Sequence, residues 1–347
     1  MKNKRVLVAM SGGVDSCVAA YLLKEAGYAC VGATIKTWPK EDCGRIDGKL
    51  CCSADAISSA RAVADKLGIP HYVFDFSRAF REKVVDYALD EYRRGLTPNP
   101  CVYCNSEIKF GALLDKAREL GCDYVASGHY ARKAPASDGS VALYRGKDKK
   151  KDQSYFLFNL DRERLKSLLF PLGDMLKKDT SALSCSAGMD VFRRRSSQDI
   201  CFNVREASGR QGRIMSRDGR VLGHHTGVEV FTIGQRKGLG VAYKEPLYVT
   251  GIDTKSNTIH VGLKADIMKK SLYADRVNWL ADVRLPLKVQ ARIRYGSEPF
   301  DASVHGSAGG VKVEFSRPQA APTPGQAVVF YDGDRVLGGG WIVRAED

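Results

Sequence analysis

The chain has 347 residues, 44% of them hydrophobic and 27% charged, with a formal net charge of +14. That length allows two or three domains, and the composition is that of a soluble globular chain, which excludes disordered and collagen-like classes. No apolar run approaches bilayer length, and the basic start leads straight into a strand pattern without the apolar region of a leader, so a cytoplasmic address is expected. The excess positive charge points to a polyanionic partner. Nucleic acid is favoured over membrane, because no basic amphipathic helix stands out.

Residues 5–10 are an apolar, β-branched run of strand length, ending in Ala9-Met10. Residues 17–26 are good helix formers closed by Gly27. Between them lies Ser11-Gly12-Gly13-Val14-Asp15-Ser16. A strand, a glycine turn and a helix start make an anion site, since the backbone can approach closely and unpaired N–H groups meet the positive end of the helix dipole. Asp15 suits a phosphate site only with Mg²⁺ between the two. No Gly-Lys-Ser/Thr follows, so this is not a Walker loop. The stretch resembles the pyrophosphate loop of ATP pyrophosphatases, which split ATP between its α- and β-phosphates and adenylate a carbonyl oxygen.

Further along, the pattern predicts a strand at 29–35, a long loop at 36–52, a helix at 53–67, a strand at 71–76 and a helix at 78–93. A helix at 113–120 and a short strand at 124–127 follow, then Gly128-His129-Tyr130. Alternating strands and helices predict an α/β fold, a doubly wound parallel sheet whose ligands bind at the carboxyl ends of the strands. Both 11–16 and Gly128 fall at such ends.

The chain carries ten cysteines. Cys17, Cys30 and Cys122 have apolar surroundings and read as core residues, and Cys185 says little. Cys43, Cys51 and Cys52 sit in a Gly- and charge-rich loop whose spacing fits no standard metal site. Cys101 and Cys104 lie in Thr97-Pro98-Asn99-Pro100-Cys101-Val102-Tyr103-Cys104-Asn105, where two prolines stiffen a loop that presents Cys104 near a helix start. A thiol there, in a basic protein, is expected to have a lowered pKa and to be reactive. A lone C-x-x-C also holds zinc, iron–sulfur clusters or redox disulfides, and no second one completes a zinc site. Cys201 lies in Ser197-Gln198-Asp199-Ile200-Cys201-Phe202. An adenylating loop together with two separated cysteines suits sulfur transfer, with one thiol carrying a persulfide and the other attacking or resolving it.

Over essentially its whole length the chain resembles the tRNA-specific 2-thiouridylases (the MnmA/TrmU family). The matching stretches are 11–16, 97–100 with Cys104-Asn105 and 108–110, 128–130, 151–156, 197–202, 232–239, Arg294-Tyr295 and 324–326. The resemblance implies that Ala9, Met10, Ser11, Gly12, Gly13, Val14, Asp15 and Ser16 hold ATP and Mg²⁺, with Ile35 and Gly128 at the adenine nucleoside. It implies adenylation of the wobble uridine O2, sulfur carried as a Cys201 persulfide, and Cys104 as nucleophile, either on the activated C2 or on the persulfide. A Cys104–Cys201 disulfide would then form and need reduction. Asp199 would transfer a proton or orient its loop. Asn99, Pro100 and Cys101 would border a flipped base, and His129, Lys151, Asp152, Gln153, Arg294, Tyr295 and Gln326 would contact tRNA. The implied partners are lysine, glutamate and glutamine tRNAs and a cysteine desulfurase or sulfur-relay protein. Many members have Asp where this chain has Cys101. That leaves open an iron–sulfur cluster on Cys101, Cys104 and Cys201 as an alternative to the persulfide. Amidation of a small acid by another adenylating synthetase of this type is a further alternative.

Beyond Phe202 the chain is Gly-rich with short strand patterns at 228–232, 247–252, 258–261, 289–294, 311–315, 327–331 and 340–343. The expected domains are a nucleotide-binding catalytic domain at 1–203, a small β-rich domain at 204–270 and a β-barrel at 271–347. The basic clusters at 147–151, 193–195, 269–270 and Arg292/Arg294 are candidate phosphate contacts. The run 147–152 reads as a loop over the active site.

Overall fold

The computed structural model describes residues 4–38, 54–189 and 209–347, which fall into two compact units. The first takes the described residues of 1–85, 100–203 and 334–336; the second takes those of 86–99, 204–333 and 337–347.

In the first unit β1 (Arg5–Ala9) runs into α1 (Val14–Glu25), then β2 (Ala29–Lys36), α2 (Ala54–Leu67) and β3 (His71–Asp75). β4 (Tyr124–Ser127), a hairpin of β5 (Ala131–Pro135) and β6 (Val141–Arg145), and β7 (Leu168–Leu169) follow. The sheet order is β3-β2-β1-β4-β7, and every pairing in it is parallel. Val6, Leu7 and Val8 are fully buried, as an apolar run in a central parallel strand requires. On one face Val6 and Val8 meet Cys17, Val18, Ala19 and Ala20 of α1 and Ala60, Val63 and Ala64 of α2. Small side chains on both helices bring them close to the sheet, and each buried valine or leucine contributes about 1.5–3 kcal/mol. Cys17, Cys30 and Cys122 are buried, as expected, and burial pushes the Cys17 and Cys30 thiols up to about 11.

In the second unit β8 (Gly212–Ser216), β9 (Val221–His225), β10 (Tyr248–Asp253) and β11 (Thr258–Gly262) form a sheet of order β10-β11-β8-β9 over Ile214, Phe231, Val249 and Ile259. The remaining strands are β12 (Met268–Trp279), β13 (Leu287–Arg292), β14 (Phe300–Ser307), β15 (Gly310–Ala320), β16 (Ala327–Asp332) and β17 (Arg335–Glu346). Their order β12-β15-β14-β13-β16-β17, closed by β12 against β17, makes a barrel filled by residues such as Val289, Val304, Val313 and Phe330. Asp86–Arg93 and its following segment belong to this unit: Thr97 N–H donates to Pro324 O at 2.9 Å.

Three expectations change. The loop expected to present Cys104 at a helix start ends one turn sooner: the chain is helical from Pro100, with an α-turn at Pro100–Tyr103 and a π-wound stretch at Cys104–Ala112, and runs on into the expected helix at Leu113–Glu119. Proline suits a first helical position, where its missing N–H costs nothing. The stretch 228–232 is a 3-10 turn at Val228–Val230 instead of a strand. Arg292 is buried, with its guanidinium donating to Ser297 O at 2.9 Å and to Tyr295 O, so it braces a turn instead of meeting a polyanion. Among the described residues no helix is long and apolar enough to cross a membrane.

Candidate active site

In a sheet of order β3-β2-β1-β4-β7 the connections reverse direction between β1 and β4, and a crevice opens at their carboxyl ends. Ala9 ends β1, Ile35 lies near the end of β2, and Gly128 follows β4. The structure therefore gathers Ala9, Met10, 11–16, Ile35 and Gly128 at one edge of the first unit.

The loop holds its own shape. Ser11 N–H donates to Ser16 Oγ at 3.1 Å, the two hydroxyl oxygens lie 3.3 Å apart, and Ser16 Oγ–H donates to Gly13 O at 2.9 Å. Gly12 has φ +71, and a Cβ there would come within 2.3 Å of Ala56 O, so only glycine passes beneath α2. Gly13 caps α1 without a side-chain bond, which leaves the first-turn N–H groups to a ligand. A Cβ at Gly128 would lie 2.7 Å from Asp15 C and 2.8 Å from Ser16 N. The absent side chain lets β4 abut the first turn of α1.

Sequence reasoning missed the partners of Asp15. Its Oδ1 accepts from Tyr130 Oη–H at 2.9 Å and from Lys177 Nζ at 2.5 Å. Tyr130 Oη also lies 3.1 Å from Thr180 Oγ1, and burial raises its pKa. Lys177 opens the helix Lys177–Ser186, and Asp148 Oδ2 accepts from its backbone N–H at 2.9 Å. The run 147–152 thus reaches the loop through Lys177. No motif announced that lysine; its place follows from the 150 or so residues of chain that bring it back to α1. Among the described residues no three His, Cys, Asp or Glu side chains are grouped to hold a metal. Asp15 as a single carboxylate beside a phosphate cradle fits Mg²⁺ arriving on a nucleotide, which needs no protein cage.

Cys101 falls in the first turn of the helix that starts at Pro100, and Cys104 one turn later; both are half-buried. At i and i+3 they share a helix face. The start of the helix is thus nearer Cys101 than Cys104. Cys201 and Asp199 lie outside the described residues, as do Cys43, Cys51, Cys52 and 193–195.

Several expected tRNA contacts are built into the fold. His129 is buried, with Nδ1 2.8 Å from Ser127 Oγ and its ring against Phe110 and Phe170. Desolvation, with Lys109 nearby, holds its pKa well below the usual 6.5. Asp152 is buried and accepts from Gly146 N–H at 3.0 Å, Ser154 N–H at 3.1 Å and Arg145 Nε–H at 3.3 Å. Gln153 Oε1 accepts from Tyr130 N–H at 3.0 Å, while Lys151 is half-buried. In the second unit, Gln326 Nε2 donates to Thr97 O and Pro98 O at 3.0 Å each and so fixes the segment before Asn99. Arg294 Nη2 donates to Ala320 O and Ala321 O, and Tyr295 follows it at a turn.

Family models cover the chain in three parts. The tRNA methyl transferase HUP domain matches residues 4–205, the tRNA methyl transferase PRC-barrel domain 203–263, and the aminomethyltransferase beta-barrel domain 269–342. The tRNA-specific 2-thiouridylase MnmA of Clostridioides difficile (strain 630) is 45% identical over 358 residues, covering 99% of each protein. That of Geobacter metallireducens is 46% identical over 359 residues, covering 99% of this chain and 98% of that one. Among solved structures, the U34-tRNA thiolase NcsA from Methanococcus maripaludis aligns at 19% identity and a TM-score of 0.38, covering 59% of this chain and 63% of that one. Identity of 45–46% sustained from end to end assigns the chain: it belongs to the MnmA tRNA-specific 2-thiouridylase family.

Proposed function

We propose that this chain is an ATP-dependent tRNA-uridine 2-sulfurtransferase that converts the wobble uridine at position 34 to 2-thiouridine and releases AMP and pyrophosphate. The observation that carries the reading is the anion loop 11–16 at the reversal point of the sheet, in a chain that matches this family along its length.

The O2 of uridine is a poor leaving group. Attack by O2 on the α-phosphate of ATP expels pyrophosphate and turns that oxygen into an AMP ester that can leave. In this reading Ser11 and the first-turn N–H groups of α1 hold the phosphates, and the backbone at Ile35 and Gly128 borders the adenosine. Lys177 neutralises charge as pyrophosphate departs. Mg²⁺, when bound, screens the phosphates, with Asp15 as its protein carboxylate.

Cys201 takes a sulfur atom from a cysteine desulfurase or relay protein as a persulfide. Its terminal sulfur adds to C2 and AMP leaves; the Cys104 thiolate then attacks the Cys201 sulfur. The C2–S bond stays with the base, a Cys104–Cys201 disulfide forms, and a two-electron reductant restores both thiols. Asp199 is the acid–base candidate beside Cys201. The competing route is an iron–sulfur cluster on Cys101, Cys104 and Cys201, which the shared helix face of Cys101 and Cys104 favours. Asn99, Pro100 and Cys101 border the extruded base, and Lys151, Arg294 and Tyr295 meet the tRNA. Asp152, Gln153 and Gln326 support those contacts through the backbone they fix, and His129 through its packing against Phe110 and Phe170. Lysine, glutamate and glutamine tRNAs in the cytoplasm are the proposed substrates.

The test is ATP–pyrophosphate exchange with and without tRNA. The expected result is exchange that requires a wobble-uridine tRNA. Exchange driven by small carboxylic acids in the absence of tRNA would move the assignment to an amidating synthetase.

A further inference from the structure

We propose that His71 is a positioning residue for the nucleotide loop, acting through Thr34 on the Met10–Ser11 peptide. The inference rests on the reading that loop 11–16 binds ATP.

His71 opens β3 directly opposite Gly32 of β2. A Cβ at Gly32 would lie 2.9 Å from Met10 Sδ and 3.0 Å from His71 Cδ2, so the missing side chain gives the imidazole and the thioether their space. Thr34, two residues further along β2, projects from the same face as Gly32. Its buried hydroxyl donates to Met10 O at 2.8 Å and lies 2.9 Å from His71 Nε2.

Proton counting sets the directions. A threonine hydroxyl has one proton, and the Met10 carbonyl can only accept. With that proton spent on Met10, His71 Nε2 must carry the hydrogen it gives to Thr34. His71 Nδ1 is buried without a hydrogen-bond partner, which suits a neutral ring. Arg61 and Asp65 of α2 are the charged groups that act on it, and burial and Arg61 both oppose a second proton.

The consequence lies one atom further on. Met10 O and Ser11 N–H belong to the same planar peptide group, so holding the carbonyl holds the N–H. That N–H donates to Ser16 Oγ, whose proton goes to Gly13 O. One unbroken line of hydrogen bonds thus runs from the edge strand β3, through β2, to the turn that would cradle phosphate. Members of such a line polarise and align one another. The line from His71 and Thr34 enters the loop at the Met10 carbonyl.

The experiment measures binding of a fluorescent ribose-labelled ATP analogue in Mg²⁺, together with kcat and KM for ATP in tRNA-dependent pyrophosphate release and the thermal midpoint of each variant. His71→Leu and Thr34→Val should each weaken nucleotide binding roughly three- to tenfold, the factor one ordinary hydrogen bond is worth. kcat should stay within about twofold, and the double variant should bind no worse than the weaker single. His71→Gln, whose amide nitrogen can take the place of Nε2, should restore binding to within about twofold of wild type. Folded His71→Leu and Thr34→Val proteins with unchanged nucleotide affinity would overturn the inference, as would additive losses in the double variant or a Gln variant no better than Leu. A wild type that binds no nucleotide would overturn the reading of the loop and the inference with it.

Discussion

Lys177 Nζ lies 2.5 Å from Asp15 Oδ1, although 162 positions separate the two residues. The pair brings the start of the Lys177–Ser186 helix onto the first turn of α1, and each side chain is about one-quarter exposed. A cation and a carboxylate held together beside an anion loop can exchange partners: magnesium takes the carboxylate and the phosphates take the ammonium. Lys177→Met should therefore raise KM for ATP by about tenfold or more, the weight of a charge-assisted hydrogen bond. Stability should fall as well, by about 1–3 kcal/mol, because the carboxylate left without its cation is about three-quarters buried. Pyrophosphate-release kinetics and urea melts on the same preparation separate the two effects.

Asp152 and Lys151 are neighbours with opposite expected behaviour. Asp152→Ala orphans the Gly146 and Ser154 N–H groups in a buried site and should cost about 2–4 kcal/mol of stability. Lys151→Ala should leave the melting curve in place, weaken tRNA binding, and reduce the slope of log affinity against log salt by about one. Urea titration and salt-dependent filter binding check the pair. A large loss of salt slope with Asp152→Ala would contradict this division.

Gly128→Ala places a methyl group against the backbone of Asp15 and Ser16. Overpacking against main chain that cannot retreat should cost about 1–3 kcal/mol and push the first turn of α1 out of line, so nucleotide affinity should fall along with stability. Thermal melts with and without ATP and Mg²⁺ would register this as a lowered midpoint and a smaller ligand-induced rise.

His129 gives the stability curve an acid slope. Its folded pKa is depressed well below 6.5 by burial, whereas in the unfolded chain it titrates near that value. Below about pH 6.5 the unfolded chain binds a proton that the folded one refuses, so stability falls as pH drops and is flat above that range. His71, also depressed by burial, adds in the same direction. His129→Phe, matched to its Phe110 and Phe170 neighbours, should flatten part of the loss between pH 6.5 and 5. Chemical denaturation at a series of pH values tests this, and an unchanged slope would contradict it.

Much of the nucleotide-binding unit was legible in the sequence because its signals are local. A β-branched run, two glycines and a run of alanine-rich helix formers specify strand, turn and helix without help from the rest of the chain. The parallel order of the strands followed from their alternation with helices. What was hidden depends on distant contacts. Lys177 joins Asp15 because its helix comes back onto α1, and His71 reaches Met10 through Thr34 because the sheet sets β2 between β3 and β1. The helix expected to start near Cys104 begins about one turn earlier: two prolines read as a rigid loop, although the second is a favourable first helical residue. His129 and Asp152, polar residues next to informative motifs, read as contacts for an outside partner; their burial, the Ser127 hydroxyl beside His129 and the backbone N–H groups on Asp152 follow from the fold and leave no mark in the sequence. In the second unit, alternating short strands signalled β structure, but turn signals alone could not separate the 3-10 turn at Val228–Val230 from a strand.

Sulfur transfer to the wobble uridine through two thiols is checked by thiolation in vitro. Wobble-uridine tRNA, ATP, Mg²⁺ and a cysteine desulfurase would be incubated with wild type, Cys101→Ser, Cys104→Ser and Cys201→Ser, and the product read as retarded tRNA in a mercury-containing gel. Two-thiol transfer requires activity in wild type and Cys101→Ser and its loss in the other two. Loss in all three, with activity dependent on anaerobic iron–sulfur reconstitution, would replace the persulfide with a cluster. Absence of thiolation by wild type under either condition would contradict the assignment itself.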